Sequence, residues 1–474
     1  MKKIAKIAAA CAVFGLALFA AGCGNSSDTP YVPSDGGSGK TLGPLTLEFT
    51  AAGTITFTNK PASLKYSKNG AKKQAAGDEI TVAVGDKICL YANGTANTSA
   101  KQFNIACDAD CYVYGNVMSL ISSSNYKTLV TLKGHDYAFF KLFYENTHIK
   151  NHPFNEIELP AATLVAFCYN SMFYGCVGLT SAPALPATTL AQSCYAGMFS
   201  GCAGLKTAPA LPATALAQSC YAGMFSGCAA LEIAPDLPAL TLANSCYEYM
   251  FNGCAGLKAV PALPATTLDE CCYSYMFKEC TGLKIAPENL LPAENLAKNC
   301  YQFMFDSCEA LETAPDLPAK TLTDYCYYGM FQSCKALKTA PELPATTLAA
   351  NCYYGMFQSC AALVNAPELP ATTLAKGCYQ TMFASCAALE TAPDLPAATL
   401  EENCYMNMFA DCSKLKYIKC LATDISASGC THDWVNNVNT GDAGTFVRPE
   451  AMQSVWIGRV SGSGIPSGWN TQDS

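Results

Sequence analysis

Residues 168–193 read CYNSMFYGCVGLTSAPALPATTLAQS, and the framework Cys-Tyr-x-x-Met-Phe-x-x-Cys-x-x-Leu followed by Leu-Pro-Ala returns ten times, nearly always after 26 residues. The copies open at Cys168, Cys194, Cys220, Cys246, Cys272, Cys300, Cys326, Cys352, Cys378 and Cys404. Only the step from Cys272 to Cys300 is longer, by two residues, and Pro287-Glu288-Asn289-Leu290-Leu291 carries the excess, which places that insertion in a loop. A unit this short cannot bury its own apolar face. Stacking each unit on its neighbours makes one continuous core, so the pattern predicts a solenoid whose function lies on a surface.

Within each copy the columns are strict. Ten of the 14 methionines fill one column, from Met172 to Met408, and a phenylalanine follows each. Leucines form two more columns, Leu179, Leu205, Leu231 and Leu190, Leu216, Leu242. Apolar residues at i, i+4, i+5 and i+8 in the Cys-Tyr to Cys stretch predict a short helical turn on one side of the coil. The Ala-Pro-x-Leu-Pro stretch predicts extended chain on the other, with strand pairing that stops at the first proline, which has no amide to donate.

The flanks differ. Alternation over Leu45, Leu47, Phe49, then Ile55, Phe57, then Ile80, Val82, broken by Asn69-Gly70 and Gly85-Asp86, predicts a small all-β, sandwich-like domain over 44–115. In 116–150, Leu142-Phe143, Asn146 and Ile149 can be laid over Met172-Phe173, Cys176 and Leu179, which predicts a degenerate N-terminal cap repeat. The solenoid proper occupies 151–419. All three tryptophans, Trp434, Trp456 and Trp469, fall in 420–474, read as a C-terminal cap.

At the N-terminus Lys2, Lys3 and Lys6 precede an apolar stretch from Ile7 to Ala21, then Ala20-Ala21-Gly22-Cys23. This reads as an export signal over 1–22, and the cysteine after small residues resembles a bacterial lipobox. Cys23 is then the expected lipid anchor on a membrane, the alternative being an ordinary cleaved signal with a chance cysteine. Residues 23–43, rich in Ser, Gly, Pro and Asp, form the expected tether. Localisation follows as the bacterial cell envelope, lipid-anchored and surface-exposed. With a net charge of -8 and no basic run beyond the extreme N-terminus, nucleic acid is not an expected partner.

The 28 cysteines leave three readings: two ladders of small buried hydrophobes, disulfides that an exported protein can form, or metal ligands. Cys107 with Cys111 and Cys420 with Cys430 are the better candidates for bridges. Metal binding is disfavoured because the ten copies contain no histidine and no C-x2-C pair. His148 and His152 precede Pro153 outside any His-Glu-x-x-His helix and read as an exposed loop pair. Gly39-Lys40-Thr41 is tether rather than a phosphate loop, and no cofactor fingerprint or catalytic constellation is present, so no enzyme is expected.

One column has chemistry. Between the two prolines of each copy stand Ala184, Ala210, Asp236, Ala262, Glu288, Asp316, Glu342, Glu368 and Asp394. The carboxylates Asp236, Glu288, Asp316, Glu342, Glu368 and Asp394 form either a ligand-facing acidic stripe or a solvated column that keeps the extended face soluble. Lys284, Glu312, Lys338, Val364 and Glu390 beside it are of mixed sign. The tyrosine column, Tyr169 to Tyr405, reads as half-buried packing with its hydroxyls in water, or as an aromatic platform.

Met-Phe-x-x-Cys-x-x-Leu with a following Leu-Pro resembles the BspA-like leucine-rich-repeat surface proteins of host-associated bacteria, over about residues 168 to 419. The tail, with Ala422-Thr423-Asp424-Ile425 and Gly464-Ile465-Pro466-Ser467-Gly468-Trp469, is similar to their endings. The resemblance implies an α/β leucine-rich-repeat solenoid and a non-enzymatic lipoprotein that binds host extracellular or other cell-surface macromolecules, protein or glycan. The units here are longer than the family norm, and the extra residues fall around Ala-Pro-x-Leu-Pro-Ala, so no ligand carries over. The alternative is a glycan-binding or envelope-structural lipoprotein contacting the bacterium's own envelope.

Overall fold

A computed structural model describes residues 43–438, 444–457 and 462–474; the signal segment, Cys23 and the tether up to residue 42 lie outside the described residues. The ten copies coil one above another as a repeat solenoid. Parallel bridges join successive coils in two columns: Ser181 to Thr207 to Ile233 to Ala259, and Thr163 to Thr189 to Ala215. In the first column pairing ends before Pro183, Pro209 and Pro235, where no amide is available to continue it.

The expected helical turn is not formed. From Phe167 to Gly175 alternate amides go to different acceptors: Tyr169, Ser171, Phe173 and Gly175 donate to Cys194, Ala196, Met198 and Ser200 of the next coil at 2.7 to 2.9 Å. The amides between them, those of Cys168, Asn170, Met172 and Tyr174, close tight turns onto the carbonyl three residues back at 3.2 to 3.3 Å. The backbone turns left-handed at every fourth residue, with φ of 57° at Phe167, 52° at Ser171 and 71° at Gly175. A helix would spend all its amides internally, whereas this chain of turns sends half of them to the adjacent coil. It still points the residues at i, i+4, i+5 and i+8 inward.

The interior is built from those columns. The opening tyrosines, both cysteines, the methionines, the phenylalanines and the Leu179 column are all buried. Phenylalanine rings stack along the axis from Phe173 to Phe409 with centroids 5.5 to 5.9 Å apart. The tyrosines from Tyr169 to Tyr405 do the same at 5.7 to 6.1 Å. Each such ring pair adds about 0.5–1.5 kcal/mol beyond the area it buries.

Before the repeats, the alternating segments are strands: β1 (Thr46–Phe49), β2 (Gly53–Thr58), β3 (Lys65–Lys68), β4 (Gln74–Ala75), β5 (Glu79–Val82), β6 (Lys87–Tyr91), β7 (Asn104–Cys107) and β8 (Cys111–Asn116). β2 lies antiparallel between β5 and β7, and β1 between β6 and β8. β9 (Ile149–Asn151) and β10 (Ile157–Glu158) then join β8 in parallel. β8 is therefore where antiparallel pairing gives way to the parallel stacking of the coils, and the buried side chains of both parts form one cluster.

Phe139 and Phe143 stack on Tyr169 and Phe173 at 5.3 and 5.7 Å, and their amides donate to Cys168 and Met172. At the other end β11 (Thr391–Leu395), β12 (Tyr417–Cys420), β13 (Thr445–Arg448) and β14 (Asn470–Asp473) form a parallel sheet, with one short helix, α1 (Gln453–Ile457). Trp434 ends the tyrosine column, 6.3 Å from Tyr405, and packs on Trp456 at 5.4 Å.

Candidate functional site

The residue between the two prolines points out of each coil. Asp236, Glu288, Asp316, Glu342, Glu368 and Asp394 are all exposed, while the leucine that follows most of them, such as Leu343 after Glu342, is buried. The alternation puts the carboxylates in a line along one side of the solenoid. Glu342 and Glu368 border a shallow cleft of about 360 Å³ walled by Pro341, Pro344, Pro367 and Pro370. Asp236 borders another of about 580 Å³ with Pro209, Pro212 and Pro235. Asp394 is held by Lys419 at 2.5 Å, and the two copies that bracket the insertion stay in register because the Asp316 amide donates to the Glu288 carbonyl at 2.8 Å. Ile233 and Ile285, in the bridge column alongside, are exposed apolar side chains.

The cysteine ladders are free thiols, buried on every rung. The second ladder does more than fill space. From Cys176 to Cys412 each thiol donates to a phenylalanine carbonyl of the preceding coil at 3.0 to 3.2 Å, as Cys202 does to Phe173 and Cys280 to Phe251. Asn146, in the corresponding place before the first full copy, donates its side-chain amide to the Ile105 carbonyl at 3.0 Å. Cys107 and Cys111 do not form the expected bridge: their sulfurs stand 3.9 Å apart as thiols. Cys420 is a buried thiol, and Cys430 donates to the Ile425 carbonyl at 3.3 Å.

The tyrosine column is fully buried rather than half-buried, and the Tyr169 hydroxyl has no hydrogen-bond partner. Burial pushes the tyrosine hydroxyls well above their ordinary range. An interior column cannot serve as a platform for a partner.

His148 and His152 go to different neighbours. The imidazole Nδ1 of His148 meets Asp110 at 3.1 Å, beside Lys150. His152 is held inside, with its side chain 13% exposed: Nδ1 accepts from the Phe154 and Asn155 amides, Nε2 faces Glu48 at 3.7 Å, and the ring lies edge-on to Tyr114. Two amides on Nδ1 fix the proton of the neutral ring on Nε2. Tyr114 and Lys87 also converge on Glu48, whose carboxyl they hold below its ordinary value against the opposing effect of burial. This cluster locks β1 and β8 to the first coil. Among the described residues, no group of three or more His, Cys, Asp and Glu side chains is placed to hold a metal ion.

A second aromatic stack, on the outer turn face, is not visible in the columns named above. Tyr249 stacks on Tyr275 at 4.4 Å and Tyr275 on Phe303 at 5.1 Å; Tyr328 meets Phe303 edge-on at 4.8 Å and stacks on Tyr354 at 4.6 Å. Tyr249, Tyr275 and Phe303 hold φ of 55°, 57° and 51° at a position that is Gly197, Gly223, Gly329 and Gly355 in other copies. A side chain with a Cβ costs about 1–2 kcal/mol in that conformation, so each aromatic sits there against local preference. The signal in the sequence is this interruption of a column of small residues.

No family model, characterised protein or solved structure matches the chain. Among the described residues no helix is long and apolar enough to cross a membrane.

Proposed function

We propose that the protein is a lipid-anchored, BspA-like leucine-rich-repeat adhesin or interaction scaffold of the bacterial surface, binding host or other cell-surface macromolecules through the outside of its solenoid. The observation that carries this reading is the line of exposed carboxylates with proline-walled clefts between Glu342 and Glu368 and beside Asp236. The interior columns are consumed in stacking, and what varies from copy to copy faces outward. An extended face of this kind adds many weak contacts, and a tether from Cys23 would let it reach a partner.

The test is binding of the purified full-length protein to intact epithelial cells and to a panel of matrix proteins at physiological salt, with an unrelated acidic solenoid as control. Saturable binding above the control is the expected result. Binding to no surface or matrix protein would overturn the adhesin and leave the protein to the bacterium's own envelope.

A further inference from the structure

The aromatic stack on the turn face is an interaction surface separate from the acidic line. Tyr249 heads it, 38% exposed, and on its far side the preceding coil has Gly223, where an added Cβ would meet nothing within 4 Å. Two carboxylates accompany the rings. Glu248 is half-buried, Glu270 is exposed, and neither is in an ion pair among the described residues. Burial raises the Glu248 carboxyl above its ordinary value, as expected for a carboxylate with no cation beside it.

One coil on, the chain shows what complements such a place. The ammonium of Lys278 lies 5.8 Å from the centroids of both Tyr275 and Phe303 and pairs with Asp306 at 3.0 Å. At the equivalent position of the Tyr249 coil stands Asn252, and Glu248 is left without a cation. Within the stack the ring faces are turned on one another, so they are not available to a row of sugar rings. What the surface offers along its length is aromatic edges, hydroxyls and carboxylate.

We propose that this face binds a cationic segment of a protein partner. Arginine or lysine head groups pair with Glu248 and Glu270 against the open side of Tyr249, and their aliphatic stems lie along the aromatic edges. This inference rests on the reading of the solenoid as a binding scaffold, and names the chemistry of one partner.

The probe is a short fluorescent peptide of alternating arginine and serine, titrated by anisotropy into the full-length protein at physiological salt. The double variant Tyr249→Gly with Tyr275→Gly keeps the net charge and installs the residue that neighbouring coils carry, so its melting temperature should hold or rise. Its affinity for the probe should fall about tenfold. Glu248→Gln with Glu270→Gln, which does not touch the backbone preference, should lose a similar factor. Glu342→Gln with Glu368→Gln should change affinity less than about twofold. Unchanged affinity in the tyrosine variant overturns the proposal, as does an equal loss in the Glu342 and Glu368 variant, or equally tight binding of a serine-only peptide. If the protein engages cell surfaces but not the arginine probe, this inference fails and the scaffold reading stands; if it engages neither, both fail.

Discussion

Oxidation state is the property of the cysteine ladders most open to test, and the geometry expects all twenty ladder thiols to remain reduced even in an oxidising compartment. Parallel strands repeat at about 4.8 Å, and successive cysteines on the ladders point the same way. Their Cβ atoms are therefore separated by about the same distance, beyond the roughly 3.5–4.5 Å that a disulfide requires. A bridge in the second ladder would also remove thiol donors from the carbonyls of Phe173, Phe199 and their successors. Burial lifts Cys202, Cys220, Cys254 and Cys360 from the ordinary 9.0 to about 12. At pH 8 that lowers the thiolate fraction, and with it the rate of reaction with a disulfide reagent, about a thousandfold.

The assay is thiol titration of protein purified without reductant, native and then in denaturant. Native protein should react slowly, at a rate set by opening of the coils, and denatured protein should release at least about twenty thiols. Near-zero thiols after denaturation would refute the packing argument. Fast reaction in the native state would refute the burial.

The same shifts make the fold sensitive to alkali. Native-state thiols hold their protons above the unfolded value, so their contribution is complete below about pH 9 and is lost as pH rises toward 12, at about 1.4 kcal/mol per pH unit for each group; circular dichroism should show steep cooperative unfolding in that window, and a flat profile to pH 11 would refute it. Phe277→Ala, between Phe251 at 5.7 Å and Phe305 at 5.5 Å, should cost about 3–5 kcal/mol by chemical denaturation, against less than about 1 kcal/mol for Tyr249→Ala on the surface; similar costs would contradict the assignment of inner and outer stacks. Asn146→Ala, which removes the donor to Ile105 and the acceptor for the His148 amide, should cost about 1–3 kcal/mol, and a neutral result would show that these carbonyl and amide groups find other partners. Glu342→Gln with Glu368→Gln should weaken binding to whichever surface partner is found and flatten its salt dependence, and unchanged affinity would leave those carboxylates a solubility role.

The interior was legible because it obeys one constraint at every rung: a side chain must fit its own copy above and below. Met172, Phe173 and Leu179 announce that constraint by repetition. The path of the turns was harder to read, since apolar spacing at i, i+4, i+5 and i+8 is shared by a helical turn and by a run of tight left-handed turns. The discriminating residues are Ser193, Ser219, Asn299, Gly377 and Asn403 before the opening cysteine, with Gly175, Gly201 and Gly227 seven residues after it, all at positive φ. A column that keeps to Ser, Asn and Gly every fourth residue is a backbone signal rather than a loop composition. The depth of the tyrosines escaped for a different reason. A phenol reads as an interfacial group, and nothing in one copy reveals that nine others will bury its edge. Donation by the second cysteine is likewise a contact between coils, invisible until the register is known.

In a structure that repeats its interior, the information specific to this protein lies where a column is interrupted on the outside. Asn146 departs from the cysteine column and still donates to a carbonyl of the preceding layer, so that interruption is absorbed by the fold. The change from alanine to carboxylate after Ala262 and the change from glycine to aromatic at Tyr249 are not absorbed in this way. Neither improves stacking: the first lines up like charges, and the second forces bulky residues into a left-handed backbone. Both changes act against local stability, and both lie on surfaces that a partner can reach, which is where selection for binding would leave its mark on a solenoid.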